Sequence, residues 1–324
     1  MSMNVHKLIA GKNDHGRRVD RIVRKLFPDL PLSFVYKLIR QGKIKINGKK
    51  CKANTVISEH DELEVLENIS TINTCINYNT SKNKYADCLG VLGNSSFKCI
   101  YDSDDILIIN KPRGIEVHGA NSIAEIVKHS LQTNNSLSFI PAPVHRLDKN
   151  TSGLLIIAKS LVGATRTSKA LHDKTIQKHY LAVLEGTIET DITLEHFLER
   201  DKTRKITRVY KQHKENSHKA VLIIHPLLSN SKYTFAEIDL KTGFTHQIRA
   251  QCGAYNHPLA GDKKYGSILP IPYYFLHAWR LGNLDKIFTE CPHEIRAQLT
   301  NEQIEYLEYY CNFTAKQLAI LGIV

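Results

Sequence analysis

PAPVHRLDKNTSGLLIIAKS, residues 141–160, sets one carboxylate, Asp148, between an Arg-Leu pair and a tight polar turn, then runs into the apolar stretch Leu154–Ala158. Taken alone, an Asp followed by Lys-Asn-Thr-Ser-Gly reads as a turn or capping residue, because a short carboxylate readily bonds nearby backbone amides. The alternative is a reactive acid at the mouth of a strand, which would need a cation to keep it charged if a substrate covered it. No second arginine lies close downstream of it in sequence, so that cation must come from elsewhere in the chain.

The 324 residues suffice for one large domain plus a small one, and 42% apolar content is ordinary for a globular protein. No run approaches the roughly 18 apolar residues of a membrane span. The N-terminus lacks the charged-then-apolar pattern of an export signal, so a cytoplasmic location without membrane association is expected. Seven scattered cysteines never form C-x-x-C, and the 16 histidines never form H-E-x-x-H. Neither a disulfide framework nor a metal site is expected. No G-x-x-x-x-G-K-[ST] or G-x-G-x-x-G occurs, so no nucleotide or other cofactor is expected.

The charge of +12 is concentrated. Residues 1–52 hold 14 Lys and Arg against 3 Asp and Glu, and residues 200–219 hold 8 against 2, leaving the other 252 residues at −5. Two basic segments on a mildly acidic body are the footprint of a protein that grips a phosphate backbone at two places. Either run alone reads equally well as a solvated face.

At the N-terminus Val19, Ile22, Val23, Leu26 and Phe27 form a helical apolar stripe ended by Pro28 and Pro31. Ser33 is placed to cap a second helix carrying Phe34, Val35, Leu38 and Ile39 and stopping at Gly42. Lys43 to Ile46 alternates with period two before the hairpin signal Asn47-Gly48. Arg17, Arg21 and Arg24 fall off the first apolar stripe, and Lys43 and Lys45 share one strand face, so all five can face solvent and a phosphate backbone while the stripes pack. This pattern, R-x-D followed by L-I-R-x-G-x-x-x-x-N-G, resembles the ribosomal S-four-type (alpha-L) RNA-binding domain over about residues 16–66. His60 stands where that family has Gly before Asp, which puts the local turn geometry in question. Residues 1–66 are therefore expected to form this domain, residues 67–96 a polar linker, and residues 97–324 a catalytic α+β domain. Strands are expected around 106–109, 154–158, 180–184, 221–224 and 233–240, with helices near 160–172 and 301–320.

HRLDKNTSG resembles the H-R-L-D-x-x-T-S-G signature of the RluA-type pseudouridine synthases. INKPRGIEVHG (109–119), KHYLAVLEG (178–186), TGFTHQIRAQ (242–251), HPLAGDKKYG (257–266) and FLHAWRL (275–281) follow that family's order. With the S-four-type domain in front, the layout is similar to the RluC/RluD-like large-subunit rRNA members. The resemblance implies a mixed, largely antiparallel sheet with flanking helices and a central cleft, no cofactor, and a monomer acting on RNA. It implies Asp148 as the essential carboxylate, Arg249 as its ion-pair partner, Tyr180 stacked on the uracil first and, second, assisting proton removal from C5 through its hydroxyl, and Arg146 filling the place of the flipped nucleotide. Whether Asp148 attacks the sugar, attacks the ring or removes a proton stays open. A solitary acid fits an isomerase better than a glycosidase, which works with paired carboxylates.

Arg204, Lys205 and Arg208 lie in the segment that matches the family's basic RNA-gripping loop. His118, His145 and His246 receive no catalytic role, while Thr151, Ser152 and Gly153 are expected to hold the turn that aims Asp148. One departure concerns RNA: Phe244 replaces the Arg of T-G-R-x-H-Q-I-R, and an uncharged ring cannot contact phosphate. A tRNA enzyme of the same family, or a non-catalytic ribosome-assembly protein, is the alternative reading.

Overall fold

Apolar runs decide where the sheet sits. In the computed structural model, which describes residues 5–66, 97–131 and 136–323, Ser152–Ala158 is a strand buried at all seven positions. A strand covered on both faces needs apolar side chains in both phases of the pleat. Leu155 and Ile157 enter one core, while Leu154 and Ile156 enter another.

The N-terminal part builds its own small layer from β1 (Val5–Ile9), α1 (Val19–Leu26), α2 (Leu32–Arg40), β2 (Ile44–Ile46), β3 (Lys49–Lys50) and β4 (Glu62–Leu66). The strands run in the order β1-β4-β2-β3, under a core that includes Val19, Ile22, Val35, Leu38 and Leu63. Pro31, not Ser33, stands at the N-terminal cap of α2, with no side-chain cap bond, so the expected serine cap is corrected. Proline supplies the fixed φ there in place of a side-chain acceptor. Arg18 explains the R-x-D opening: it donates to both oxygens of the buried Asp20, at 3.1 and 2.7 Å. His60 adopts φ 70° and the turn closes regardless, since His tolerates the left-handed region better than most residues. The expected linker, residues 67–96, lies outside the described residues.

The larger part contributes β5 (Lys98–Asp102), β6 (Ile106–Lys111), α3 (Ile123–Leu131), β7 (Ala142–Pro143), β8 (Ser152–Ala158), α4 (Leu161–His172), β9 (Gln177–Glu185), β10 (Ile192–Asp201), β11 (Ile206–Tyr210), β12 (His218–Ser229), β13 (Tyr233–Leu240), α5 (Gln247–Ala254), β14 (Leu276–Gly282), β15 (Glu294–Arg296), α6 (Asn301–Cys311) and α7 (Ala315–Ile320). Its sheet has 11 strands among the described residues, along the path β11-β10-β12-β13-β9-β14-β8-β6-β5. Every pairing is antiparallel except the seam where β14 runs parallel to β8. The mixed, largely antiparallel α+β expectation stands. The helical stripe expected over 301–320 is two helices, because Asn312 caps the first in the left-handed conformation at φ 58°.

The seam depends on Gly153. Its φ is +109°, and a Cβ there would stand 2.2 Å from Ala278 O and 2.5 Å from Ala278 N. Gly153 therefore lies in the strand, not in the turn as expected from sequence, and its missing side chain lets β14 approach β8.

Asp14 joins the two parts. Fully buried, its carboxylate accepts from Ser136 Oγ (2.9 Å), Leu137 N (2.7 Å) and Ser138 Oγ (2.6 Å). Arg17 donates Nη1 to Ser138 Oγ at 2.5 Å. It precedes α1 rather than lying on it, and one of its nitrogens serves this junction while the side chain stays half-buried; Arg21 and Arg24 are exposed on α1. Among the described residues no helix is long and apolar enough to cross a membrane.

Gly153→Ala is expected to cost about 3 kcal/mol or more, from backbone strain plus overpacking. Thermal denaturation should show a clearly lowered midpoint; an unchanged one would contradict the close approach of β14.

Candidate active site

Asp148 sits on the turn that feeds β8, closed by Thr151 N donating to Asp148 O at 3.0 Å. The turn is held from beneath by Lys111, whose side chain is fully buried. Lys111 Nζ donates to Pro112 O (2.8 Å), Ile115 O (2.8 Å) and Lys149 O (3.1 Å). Gly114 N also donates to Lys149 O, at 2.8 Å. The Lys-Pro-x-Gly loop is thus tied to the residue next to Asp148. Burial lowers the Lys111 ammonium to about 8, against which the nearby Asp148 acts to raise it.

The cation comes from α5. Arg249 Nη1 donates to Asp148 Oδ2 at 3.0 Å, across 101 residues of sequence. The same guanidinium makes a two-pronged pair with Asp262, Nε to Oδ2 at 2.6 Å and Nη2 to Oδ1 at 2.9 Å. Its carbon lies 4.3 Å from the Tyr274 ring centroid and 5.1 Å from that of Tyr265. Burial opposes the charge on Arg249, but the Asp262 hydrogen bonds and neighbouring negative groups outweigh it and raise the pKa. Only 2% of the Asp262 side chain is exposed, against 15% for Asp148. Asp262 is therefore the structural partner, and Asp148 the one turned toward the cleft. Asp262, Tyr265 and Tyr274 were not singled out from sequence, although GDKKYG contains the first two.

His246 caps α5 at φ 57°, and its Nδ1 is 2.7 Å from Tyr265 Oη. Its Nε2 stands 3.8 Å from Asp148 Oδ2. Burial first, with Arg249 working against the pull of Asp148, brings the imidazole to about 4. The ring is neutral at pH 7 and forms no ion pair with Asp148. His145 is also neutral, brought to about 3 by burial and then by Lys178, and accepts from Ile156 N at 3.0 Å. It has a structural role.

Ser152 Oγ meets His277 Nδ1 at 2.8 Å, and His277 Nε2 meets Ala297 O at 2.8 Å. A carbonyl accepts only, so His277 carries its proton on Nε2 and accepts on Nδ1.

Tyr180, 7% exposed on β9, lines one pocket of about 60 Å³ together with Asp148, Arg146, Leu147, Phe244 and Arg249. Burial, and then Asp148, raise its phenol above the ordinary value. Its ring forms part of the pocket wall beside Asp148. The pocket opens into a cleft of about 330 Å³ lined by Arg146, Lys149, Arg200, Lys205 and Lys264. Asp148, Tyr180, Arg249 and Arg146 are thus brought together as expected, and Lys205 reaches the rim. Arg204 and Arg208 are exposed on the β10–β11 hairpin outside this lining, where Arg208 pairs with Asp201 at 2.7 Å. Arg200 and Lys264 were not named from sequence. Lys43 and Lys45 are half-buried at β2. Among the described residues no three His, Cys, Asp or Glu side chains group as metal ligands.

Chemically, this is a carboxylate in contact with a cation that is fixed elsewhere, beside an aromatic surface, within a basic cleft. Residues 105–254 match the family described as RNA pseudouridylate synthase, and residues 17–63 match the S4 domain. The chain is similar to the ribosomal large subunit pseudouridine synthase C of Rickettsia bellii, 33% identical over 84% of this chain and 91% of that protein. It is also similar to the RNA pseudouridine synthase YlyB of Bacillus subtilis, 31% identical over 94% of this chain and 98% of that one. Among solved structures, human RNA pseudouridylate synthase domain containing 1 shares the fold at a TM-score of 0.52 with 24% identity, over 63% of this chain and 83% of that one.

Asp262→Ala, which strands a buried guanidinium, is expected to cost about 3–5 kcal/mol. Asp148→Ala leaves Arg249 with Asp262 and is expected to cost less than about 1 kcal/mol. Urea denaturation of the two variants checks this asymmetry; equal losses would contradict it.

Proposed function

The chain belongs to the RNA pseudouridylate synthase family, and from that membership we propose that it converts specific uridines of large-subunit ribosomal RNA to pseudouridine in the cytoplasm. The observation that carries this reading is the Asp148–Arg249 pair at 3.0 Å inside a cleft with a basic rim. The reaction breaks the N1–C1′ bond of the uridine, turns the uracil, and joins C5 to C1′, so it needs neither an oxidant nor net hydrolysis. A carboxylate beside the sugar serves as nucleophile or base and stabilises positive charge at C1′. Arg249 sets a positive charge against that carboxylate where a base would cover it and displace water.

Tyr180 is assigned as the ring surface against the uracil. Stacking ranks ahead of proton removal from C5 as its role, since a phenol is a poor base at neutral pH and burial raises its pKa further. Arg146, exposed at the junction of the pocket and the outer cleft, is assigned to the space left by the extruded nucleotide. Unstacking that nucleotide costs a few kcal/mol, which contacts of this kind offset. Lys205, Arg200 and Lys264 are assigned to the phosphates on the rim. Residues 1–66 are assigned as the RNA-binding domain, with Arg21, Arg24, Lys43 and Lys45 toward RNA, and residues 97–324 as the catalytic domain, active as a monomer.

Asp148→Asn is expected to abolish conversion, a loss of more than about a hundredfold, while RNA affinity is retained. Mapping pseudouridine in large-subunit rRNA from cells carrying either form checks it, and substantial turnover by the variant would reject the assignment. A protein acting only in ribosome assembly would instead leave the modification map unchanged on deletion. Neutralising Arg21, Arg24 and Lys45 together should reduce the slope of log affinity against log salt by about 2–3. Filter binding over a salt series measures it, and an unaltered slope would remove the N-terminal part from the RNA footprint.

A further inference from the structure

Phe244 places an apolar ring where the chemistry of the cleft calls for none. It is 37% exposed, and it is shared by two concavities. On one side it lines the pocket of Asp148 and Tyr180. On the other it lines a groove of about 290 Å³ with Lys174, Lys178 and Lys241, between the end of α4 and the loop after β13.

The ring is not a loose loop residue. It stacks on the exposed His218, with centroids 5.7 Å apart and planes 11° from parallel. Its backbone N donates to Gln247 Oε1 at 3.1 Å, and Thr242 Oγ1 meets the same oxygen at 2.9 Å. Gln247, 2% exposed, is anchored in turn by Nε2 donating to Val221 O at 3.1 Å. Lys178 Nζ packs on Gly243, 2.9 Å from where a Cβ would stand. Lys241 is paired with Asp239 at 2.5 Å, so the positive charge that the groove presents to a ligand comes mainly from Lys174 and Lys178.

We propose that Phe244 and His218 form a stacking platform for the nucleobase next to the target uridine, with the adjoining phosphate drawn into the groove at Lys174 and Lys178. The proposal rests on the RNA-modifying reading. Every nucleobase has a π-face, so an immobilised aromatic pair beside two ammonium groups matches single-stranded RNA whatever its sequence. The two concavities share Leu240 and Phe244, and this continuity sets the spacing: the strand that leaves an extruded uridine in the Asp148 pocket meets Phe244 at once. An apolar peptide would leave the lysines without counter-charge. Phe244 thus supplies contact by stacking at a position whose lack of charge removes a direct phosphate contact.

The test uses the full chain and a uridine-rich single-stranded oligoribonucleotide of about ten nucleotides carrying 2-aminopurine beside one uridine. The fluorophore is placed on the 5′ side in one probe and on the 3′ side in another. Wild type should quench one of the two probes, Phe244→Ala should abolish the quenching and weaken binding about tenfold, and Phe244→Trp should restore both. Lys174→Gln with Lys178→Gln should reduce the salt slope of binding by about 1–2. Equal quenching and affinity in wild type and Phe244→Ala would overturn the proposal, as would failure of Trp to rescue. Pseudouridine formation by wild type on large-subunit rRNA is scored in parallel. Its absence would sink the enzymatic reading while leaving the stacking result to stand on RNA binding alone.

Discussion

The guanidinium of Arg249 is bonded to Asp262 as well as to Asp148, and this double engagement fixes a positive charge beside Asp148. A side chain that had to swing in from solvent would lose rotamer freedom each time a base covered the acid. Here two bonds to Asp262 and the faces of Tyr265 and Tyr274 fix the planar group. The remaining donor, Nη1, points at Asp148 Oδ2. His246 approaches the same oxygen as a neutral ring, so the ionic contact of Asp148 within this cluster is with Arg249. Planar two-pronged recognition is specific to arginine, and a lysine at 249 could not satisfy both carboxylates in this geometry.

That cluster only exists because distant segments meet at one seam. Asp148 precedes β8, Arg249 sits on α5, and Asp262 and Tyr274 come from the chain between α5 and β14. The parallel contact of β14 with β8 brings these pieces within reach, and Gly153 permits it. Ser152, His277 and Gln303 are linked by hydrogen bonds at the seam, with His277 Nε2 tied onward to Ala297 O. Lys111 performs the corresponding task on the other side of the Asp148 turn. Its ammonium spans three carbonyls in the interior, where an apolar residue would take a donor from Pro112 O and Ile115 O and leave Lys149 O with Gly114 N alone.

Much of this was legible in the sequence, and the gaps have physical causes. Strands buried on both faces, such as β8 and β6, announce themselves as unbroken apolar runs. Strands β10 and β11 carry intermediate burial and many charges, so period-two reading passed over them. Helix α5 was missed because it is buried nearly all round, including Gln247, Arg249 and Gln251, and so shows no polar face to alternate against. Asp148 and Arg249 could be paired from their motifs. Asp262 could not, since nothing local distinguishes an acid that locks a distant arginine from one that ends a turn. The junction role of Arg17 was hidden for a related reason: a cation in a basic stretch reads as a nucleic-acid contact, and the sequence does not reveal that Ser138 lies opposite it.

The junction at Asp14 bears on how the two basic regions act together. If the N-terminal layer swung freely, its cations and those of the cleft would bind RNA as two tethered sites, and the tether would set their effective concentration. A buried carboxylate satisfied by two hydroxyls and a backbone N–H is costly to undo, because each donor would have to be rehydrated or left unpaired. Asn13 Oδ1 accepting from Leu161 N at 3.0 Å adds a second point of attachment at the start of α4. Two attachments remove hinge freedom that one would leave. The spacing between Arg21 and Arg24 on α1 and the cleft rim is then set by folding and not by the RNA. Rigid separation of this kind favours RNA whose backbone already has the matching shape, so part of the choice of target is made by geometry, before any base is read.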